Sequence, residues 1–275
     1  MYTKTDDTRD VLPDEMIATI MSFLLPLDVM IFLMSLDWSV EKMNSFLTNR
    51  ELGGVRYKCV VRKTSPIPYT SLWYQDNGNT CEIVVIHTGV TAISDTAFED
   101  HDTLAYVKIP VGVTTIGDNA FAGCESLTNV EIPVGVTSIG DAAFAGCESL
   151  TNVEIPVGVT SIGDDAFDGC EALATLNIPN SVTSIGDGCF SYCKKLNNVN
   201  IPNRITSINQ YVFYGCESLN NVVLPVSVKS IGHNAFGFCI SLVDIDILLY
   251  HAVSIEKYAF YGCYALTGLA AQYRD

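Results

Sequence analysis

The sequence has few positively charged residues. Lys and Arg together number 15, against 31 Asp and Glu, which gives a formal net charge of −16. The deficit is greatest after residue 80, where 7 Lys and Arg face 21 Asp and Glu. Because so acidic a surface repels phosphate backbones and anionic lipid headgroups, it argues against nucleic acid and membrane as partners. A neutral or basic protein partner is favoured instead.

Residues that usually carry catalysis or bind metals are also scarce. The chain contains four histidines, and they are scattered along the sequence. None of the ten cysteines belongs to a Cys-x-x-Cys pair. No glycine-rich phosphate loop, His-Glu-x-x-His or Gly-x-Ser-x-Gly motif occurs. The sequence therefore predicts a non-enzymatic protein with no catalytic residues, no cofactor and no metal site.

What the sequence does contain is a repeat of 23 residues. Residues 111–133 read VGVTTIGDNAFAGCESLTNVEIP, and residues 134–156 read VGVTSIGDAAFAGCESLTNVEIP. Isoleucine, phenylalanine, cysteine and leucine each recur at this period, which is typical of a solenoid. The phenylalanine column is Phe98, Phe121, Phe144, Phe167, Phe190, Phe213, Phe236 and Phe260.

Each repeat predicts one coil of such a solenoid. The spacing Leu127-x-x-Val130-x-Ile132 is typical of a short strand with these three side chains inward. Gly140 and Asp141 predict a short helical turn that begins with a cap, and Gly146 predicts its end. Since one coil cannot bury enough apolar surface to fold alone, neighbouring coils must stack. The predicted fold class is an α/β repeat solenoid with short strands and short helical turns, preceded by a small α-helical segment.

The repeat resembles the BspA-like leucine-rich repeats, a class that carries a cysteine and has about 23 residues per coil. The resemblance rests on L-x-x-V-x-I-P followed by V-x-x-I-G-x-x-A-F-x-G-C, and it covers about residues 81–271. It implies a solenoid of about eight coils over residues 81–275. For function it implies adhesion, recognition or scaffolding, because one fold serves all three.

The first 50 residues contain no repeat, and about residues 11–40 resemble an F-box. The residues that carry this resemblance are Leu12, Pro13, Glu15, Ile20, Phe23, Leu24, Asp28 and Trp38. An F-box implies docking on a Skp1-type adaptor, with the solenoid as the substrate receptor of a ubiquitin ligase. The segment departs from the family at Asp37, where a basic residue is usual, and in a very apolar second helix.

Two other interpretations of residues 1–50 stay open. The same apolar helices fit a plain cap on the open end of the solenoid. A membrane span fits residues 16–36 by length, although Pro26 and Asp28 near the middle disfavour insertion. Residues 51–80 are interpreted as a linker or N-terminal cap. The acidic flank lacks the features of a signal peptide, which favours a cytoplasmic or nuclear location and free, buried thiols.

The strand face of the predicted solenoid is the first candidate binding surface. It is formed by the outward side chains of the predicted strands, where repeat proteins commonly bind their partners. Its members are Tyr106, Lys108, Asn129, Glu131, Asn152, Glu154, Thr175, Asn177, Asn198, Asn200, Asn221, Asp244 and Asp246.

The second candidate is an aromatic patch in the last coils. There, aromatic residues take positions that hold smaller or polar residues in earlier coils. Its members are Tyr211, Tyr214, Phe238, Tyr258, Tyr261 and Tyr264. Tyrosine is enriched at interfaces because its ring supplies contact area and its hydroxyl a polar tip. A cap on the C-terminal end of the solenoid fits the same residues equally well.

Overall fold

The computed structural model describes residues 51–52, 55–56, 83–86, 90–246 and 253–267. The predicted helical, F-box-like segment of residues 1–50 lies outside these ranges, as does most of the predicted linker. At the start of the described part, β1 (Glu51–Leu52) and β2 (Val55–Arg56) pair antiparallel. Within the described ranges no helix is long and apolar enough to cross a membrane.

From residue 83 onward, strands of three residues alternate with strands of two. The longer strands are β3 (Ile83–Val85), β5 (Tyr106–Lys108), β7 (Asn129–Glu131), β9 (Asn152–Glu154), β11 (Thr175–Asn177), β13 (Asn198–Asn200), β15 (Asn221–Val223) and β17 (Asp244–Asp246). The shorter strands are β4 (Ala92–Ile93), β6 (Thr115–Ile116), β8 (Ser138–Ile139), β10 (Ser161–Ile162), β12 (Ser184–Ile185), β14 (Ser207–Ile208), β16 (Ser230–Ile231) and β18 (Ser254–Ile255).

Strands pair in parallel with the equivalent strand of the next coil. In one sheet Thr175 lies opposite Asn198, and in the other Ile139 lies opposite Ile162, so that each residue faces its own repeat partner. The longer strands form a sheet from β3 to β13, and the shorter strands form a second sheet from β4 to β12. The chain is therefore a parallel β-solenoid, whose register is set by the 23-residue period.

The interior is built from the repeat columns that the sequence shows. The eight phenylalanines of the column are its largest fully buried side chains, and neighbouring rings stack with centroids 5.1–5.8 Å apart. Each column cysteine is buried, and its thiol lies beside a phenylalanine carbonyl of the preceding coil; Cys147 Sγ is 3.2 Å from the Phe121 oxygen. The predicted inward positions Leu127, Val130 and Ile132 are all buried, which confirms the strand prediction.

The prediction of helical turns is wrong for the described residues, which contain strands and turns but no helix. Ala142 and Gly146 have φ values of 51° and 70°, and two left-handed residues in one turn segment do not allow a helix to form. Their N–H groups, with that of Phe144, donate to carbonyls of the following coil at 2.7–2.8 Å. The turn backbone thus satisfies its hydrogen bonds between coils, where a helix would satisfy them locally. The α part of the predicted α/β class is absent from this region.

Both sheets are interrupted at one place, called here the seam. β12 does not pair with β14, and β13 does not pair with β15, although every neighbouring step of the described solenoid is paired. The backbone bond between the threonine column and its predecessor, seen at Thr183 and Lys229, is missing at Thr206. On the turn side the coils stay joined, since Phe190 N–H donates to the Val212 carbonyl at 2.9 Å. The seam therefore opens only toward the strands.

Asn209 gives a steric reason for the seam. It occupies a column that holds glycine in the preceding coils, and a Cβ at Gly163 would lie 2.6 Å from the backbone of Asp141 and of Gly140. Real Cβ atoms do not approach backbone so closely, so the Asn209 coil must shift. Its side-chain Nδ2 then donates to the Ile185 carbonyl at 3.0 Å, in place of the backbone N–H.

A second residue at this column shows what relieves the contact. Glu256 also carries a Cβ there, yet its N–H reaches the Ile231 carbonyl at 2.9 Å. The register from Ser230 to Ser254 is one residue longer than elsewhere. The additional residue gives that coil slack, which the Asn209 coil lacks.

Candidate functional site

The predicted strand face exists as a continuous surface. From Asn129 to Val223 the central residue of each longer strand is buried and both flanking residues are exposed. At its N-terminal end, Tyr106 and Lys108 are half-buried. At the C-terminal end Asp244 is exposed, while the side chain of Asp246 lies outside the described part. The structure thus brings the predicted residues onto one face.

Charge is unevenly distributed on this face. Lys108 Nζ lies 2.6 Å from Glu131 Oε2, and this hydrogen bond raises the pKa of the Lys108 ammonium group. Burial is the main reason that the pKa of Tyr106 is also raised. Beyond Glu154 the face becomes neutral as far as β15, because asparagine and threonine replace the charged residues. The middle of the strand face is therefore a polar, uncharged surface.

The deepest part of the strand face lies at the seam and is called here the asparagine pocket. Its volume is about 580 Å³. Its walls carry Asn197, Asn198, Asn200, Asn203, Asn220 and Asn221, and its apolar lining is Val199, Ile201, Val223 and Pro225. A second cavity of about 370 Å³ continues from it and shares Asn198 and Asn200 with it. Sequence reasoning located the face but not this depth, because depth requires the seam.

The predicted aromatic patch is part of a larger ring assembly on the turn side, called here the aromatic ribbon. In its first row, rings from four successive coils meet edge to face at 5.3–5.4 Å, with interplanar angles of 83–88°. In its second row, three rings meet at 5.6–5.7 Å. The ribbon consists of Tyr192, Tyr214, Phe238 and Tyr261 in the first row and Tyr211, His233 and Tyr258 in the second.

Glycines make room for the first row. The ring of Tyr192 lies over Gly215, where a Cβ would meet the Tyr192 Cδ1 atom at 2.9 Å. In the same way Phe238 covers Gly262, where a Cβ would lie 2.8 Å from the Phe238 Cδ1 atom. The rings alternate between two adjacent sequence columns, and the unused column holds glycine in the next coil.

Four of the ribbon residues have left-handed backbones. Tyr192, Tyr211, Phe238 and Tyr258 have φ values between 52° and 64°. Earlier coils place Gly, Ala, Asn or Asp in the same columns. A bulky L-residue in this conformation costs about 1 kcal/mol or more. The ribbon is thus maintained although its backbone conformation is unfavourable.

Two members of the ribbon were not predicted from the sequence. Tyr192 lies in the cysteine-flanking glycine column and His233 in the aspartate column, so a column-by-column search for aromatics in the last coils missed them. Tyr264 was predicted and is 72% exposed, but no ring contact joins it to the ribbon in the described part. The rings run along four coils rather than across the terminal one.

Carboxylates line the turn side in the coils before the ribbon. Asp118, Asp141 and Asp164 each accept a hydrogen bond at 2.8 Å from the backbone N–H of the next aspartate in the column. The predicted capping role thus operates between coils rather than within a turn. Burial, followed by the neighbouring carboxylate of Asp168, raises the pKa of Asp165. This part of the surface therefore concentrates negative charge.

The cysteines of the solenoid are structural. The eight cysteines in the described part are buried and free, and burial raises the pKa of Cys124 to about 12. A protonated, inaccessible thiol is neither a nucleophile nor a metal ligand. Within the described ranges no group of three or more His, Cys, Asp or Glu is placed to hold a metal ion.

Comparisons with known proteins agree with this architecture. The model of the BspA type leucine rich repeat region matches residues 74–197 and 183–272, in six copies. A leucine-rich repeat protein from Bacteroides ovatus is 30% identical with a TM-score of 0.62, over 72% of this chain and 57% of that one. The T. pallidum leucine rich repeat protein is 28% identical with a TM-score of 0.52, over 70% of this chain and 82% of that one.

Two limits accompany these matches. The chain spans only 57% of the length of the Bacteroides ovatus protein. A search of curated protein sequences finds no match.

Proposed function

The chain belongs to the BspA-type leucine-rich-repeat family, and from this premise we propose that it is a non-enzymatic recognition protein whose solenoid binds a partner protein. The observation that carries the proposal is the aromatic ribbon. Tyr192, Tyr211 and Tyr261 are 36–46% exposed along the turn side of successive coils. Exposed tyrosines in one contiguous patch are typical of protein interfaces, where they act as anchoring residues.

The energetics of the ribbon support a binding role. A ring at Tyr211 imposes an unfavourable backbone conformation that Ala142 and Asn119, in the same column, impose at lower cost. If the rings served only to stabilise the coils, smaller residues at these columns would do so without strain. Retention of the rings is explained when a partner contributes the compensating contacts.

Charge selects the chemistry of the partner. The solenoid is strongly acidic, and the aspartates of earlier coils lie on the same turn side as the ribbon. Lys257 Nζ lies 4.3 Å from the centroid of the Tyr258 ring, which is an internal example of a cation against this surface. Lys and Arg of a partner can pair with both the rings and the carboxylates. We therefore expect a partner segment rich in basic residues.

The test replaces the ribbon with residues that earlier coils already use. Tyr192→Gly, Tyr211→Ala and Tyr214→Ala introduce Gly169, Ala142 and Ala145 equivalents, so the fold should be kept. Capture from cells that produce the chain, quantified by mass spectrometry, should show a partner enriched about tenfold less on the triple variant than on wild type. A matched control is Val157→Thr, an exposed substitution outside the ribbon. Equal enrichment on wild type and ribbon variant would contradict the proposal.

The adaptor hypothesis is a second candidate, carried by Leu12, Pro13 and Glu15. These residues lie outside the described part, and the family match begins at residue 74. The role of substrate receptor, and the intracellular location it requires, therefore stay predictions. Co-purification of the full chain with a Skp1-type adaptor is expected if they hold. Loss of the complex with Leu12→Ala and Pro13→Ala would support the role, and absence of a wild-type complex would remove it.

A further inference from the structure

The asparagine pocket has a lining that fits one class of ligand. We propose that it binds a neutral saccharide chain lying along the solenoid axis. This site is on the strand face, away from the aromatic ribbon, and it goes beyond the proposed protein recognition.

The polar groups of the pocket match sugar hydroxyls. An asparagine side chain offers an N–H₂ donor and a carbonyl acceptor, and a hydroxyl both donates and accepts. In the part of the chain that the structure describes, the side chains of Asn198, Asn200 and Asn221 form no hydrogen bond with the protein. Their hydrogen-bonding capacity is therefore available to a ligand. Six such amides converge on one cavity of about 580 Å³.

The absence of charge narrows the ligand class. Every residue that lines the pocket in the described structure is uncharged. A phosphate, a carboxylate or an ammonium group would lose its hydration without gaining an opposite charge. The nearest ion pair of the strand face, Lys108 with Glu131, lies several coils away. A neutral ligand is therefore favoured.

The apolar lining fits the other surface of a sugar ring. Val223 is 62% exposed, and its column holds Glu131, Glu154, Asn177 and Asn200 in preceding coils. Together with Pro225, it gives the pocket an apolar wall beside the amides. Pyranose rings present C–H groups on their faces and hydroxyls at their edges, so both kinds of lining are used.

The spacing of the amides distinguishes a saccharide from a peptide. Paired strands lie about 4.7–4.9 Å apart, so the asparagine columns repeat at this interval along the axis. An extended peptide advances about 3.3 Å per residue and falls out of step with that repeat. A linearly linked sugar ring is about as long as one coil is thick. The adjoining cavity, with Asn152 and Asn177, extends the same columns for further rings.

The experiment titrates the full chain with the neutral hexasaccharides cellohexaose, maltohexaose and laminarihexaose, by calorimetry and by amide NMR shifts. At least one is expected to bind saturably. Asn198→Ala with Asn221→Ala should weaken that binding about tenfold, since each lost hydrogen bond counts about 1 kcal/mol. The matched control is Asn129→Ala, in the same column as Asn198 but outside the pocket, and it should bind as wild type does.

Three results would overturn the proposal. The first is the absence of binding of any of the three sugars to wild type at about 10 mM. The second is equal affinity of wild type and of the double variant. The third is stronger binding of a neutral serine- and asparagine-rich peptide that depends on the same two asparagines. Exposed Asn→Ala changes rarely alter stability by more than about 0.5 kcal/mol, so the double variant should remain folded.

Discussion

Phe167→Ala is expected to lower the free energy of unfolding by about 3–5 kcal/mol. The ring of Phe167 is fully buried and stacks on Phe144 at 5.3 Å and on Phe190 at 5.6 Å. Truncation removes its transfer free energy, leaves a cavity between two coils, and ends both ring contacts. Urea unfolding followed by circular dichroism measures the change.

The position of Phe167 makes this loss more than local. In a solenoid each coil contacts only its neighbours, so a weak coil in the middle separates the array into two blocks. The variant should therefore unfold with a broader transition, or with two transitions. Phe167→Leu is the matched control, because it keeps most of the apolar volume and should cost clearly less. A cost below about 1 kcal/mol for the alanine variant would show that stacking between coils is not what holds the core.

The same columns explain why the core could be predicted from sequence. Phe144, Cys147 and Leu150 recur every 23 residues, and a residue that recurs in every coil must occupy an equivalent environment. All three are buried. Parallel pairing in register then follows, since only that arrangement places identical residues over one another. Periodicity thus carries the whole architecture of the strands.

The turns could not be predicted in the same way. Gly140-Asp141 followed by Ala and Phe has the local features of a helix start, and local features are all that a single coil offers. The N–H groups of Ala142 and Phe144 instead bond to the following coil. The competing partner is 23 residues away, and its position is fixed only once the coils are stacked.

Binding surfaces were predicted by position but not by shape. The strand face follows from alternation, so Asn198 and Asn221 could be assigned to it. That they border a pocket depends on Asn209, whose effect becomes visible only as a Cβ distance to the neighbouring coil. The ribbon was partly found because Tyr211 and Tyr214 replace small residues. The alternation of rings between two columns hid Tyr192.

Gly163→Ala is expected to create a second seam and to destabilise the chain by about 2–4 kcal/mol. The new Cβ would lie 2.6 Å from backbone atoms of Asp141 and Gly140, which cannot move as a flexible side chain can. The coil must shift, and β8 would then separate from β10. Bonds at risk are those from Gly163 N–H to the Ile139 carbonyl and from Thr160 N–H to the Thr137 carbonyl, both 2.9 Å. Hydrogen exchange should show fast exchange at Thr160.

Gly146→Ala separates this contact from the general cost of losing a glycine. At Gly146 a Cβ would be 3.6 Å from Gly123, in ordinary contact, so only the left-handed φ of 70° is penalised, at about 1 kcal/mol. Asn209→Gly provides the reciprocal case: removing its Cβ should allow β12 to pair with β14 and protect the Thr206 N–H from exchange. Because that closure also removes the depth of the asparagine pocket, saccharide binding should fall although no lining residue has changed. If Gly163→Ala and Gly146→Ala cost the same, or if Thr206 stays unprotected in Asn209→Gly, then the steric account of the seam is wrong.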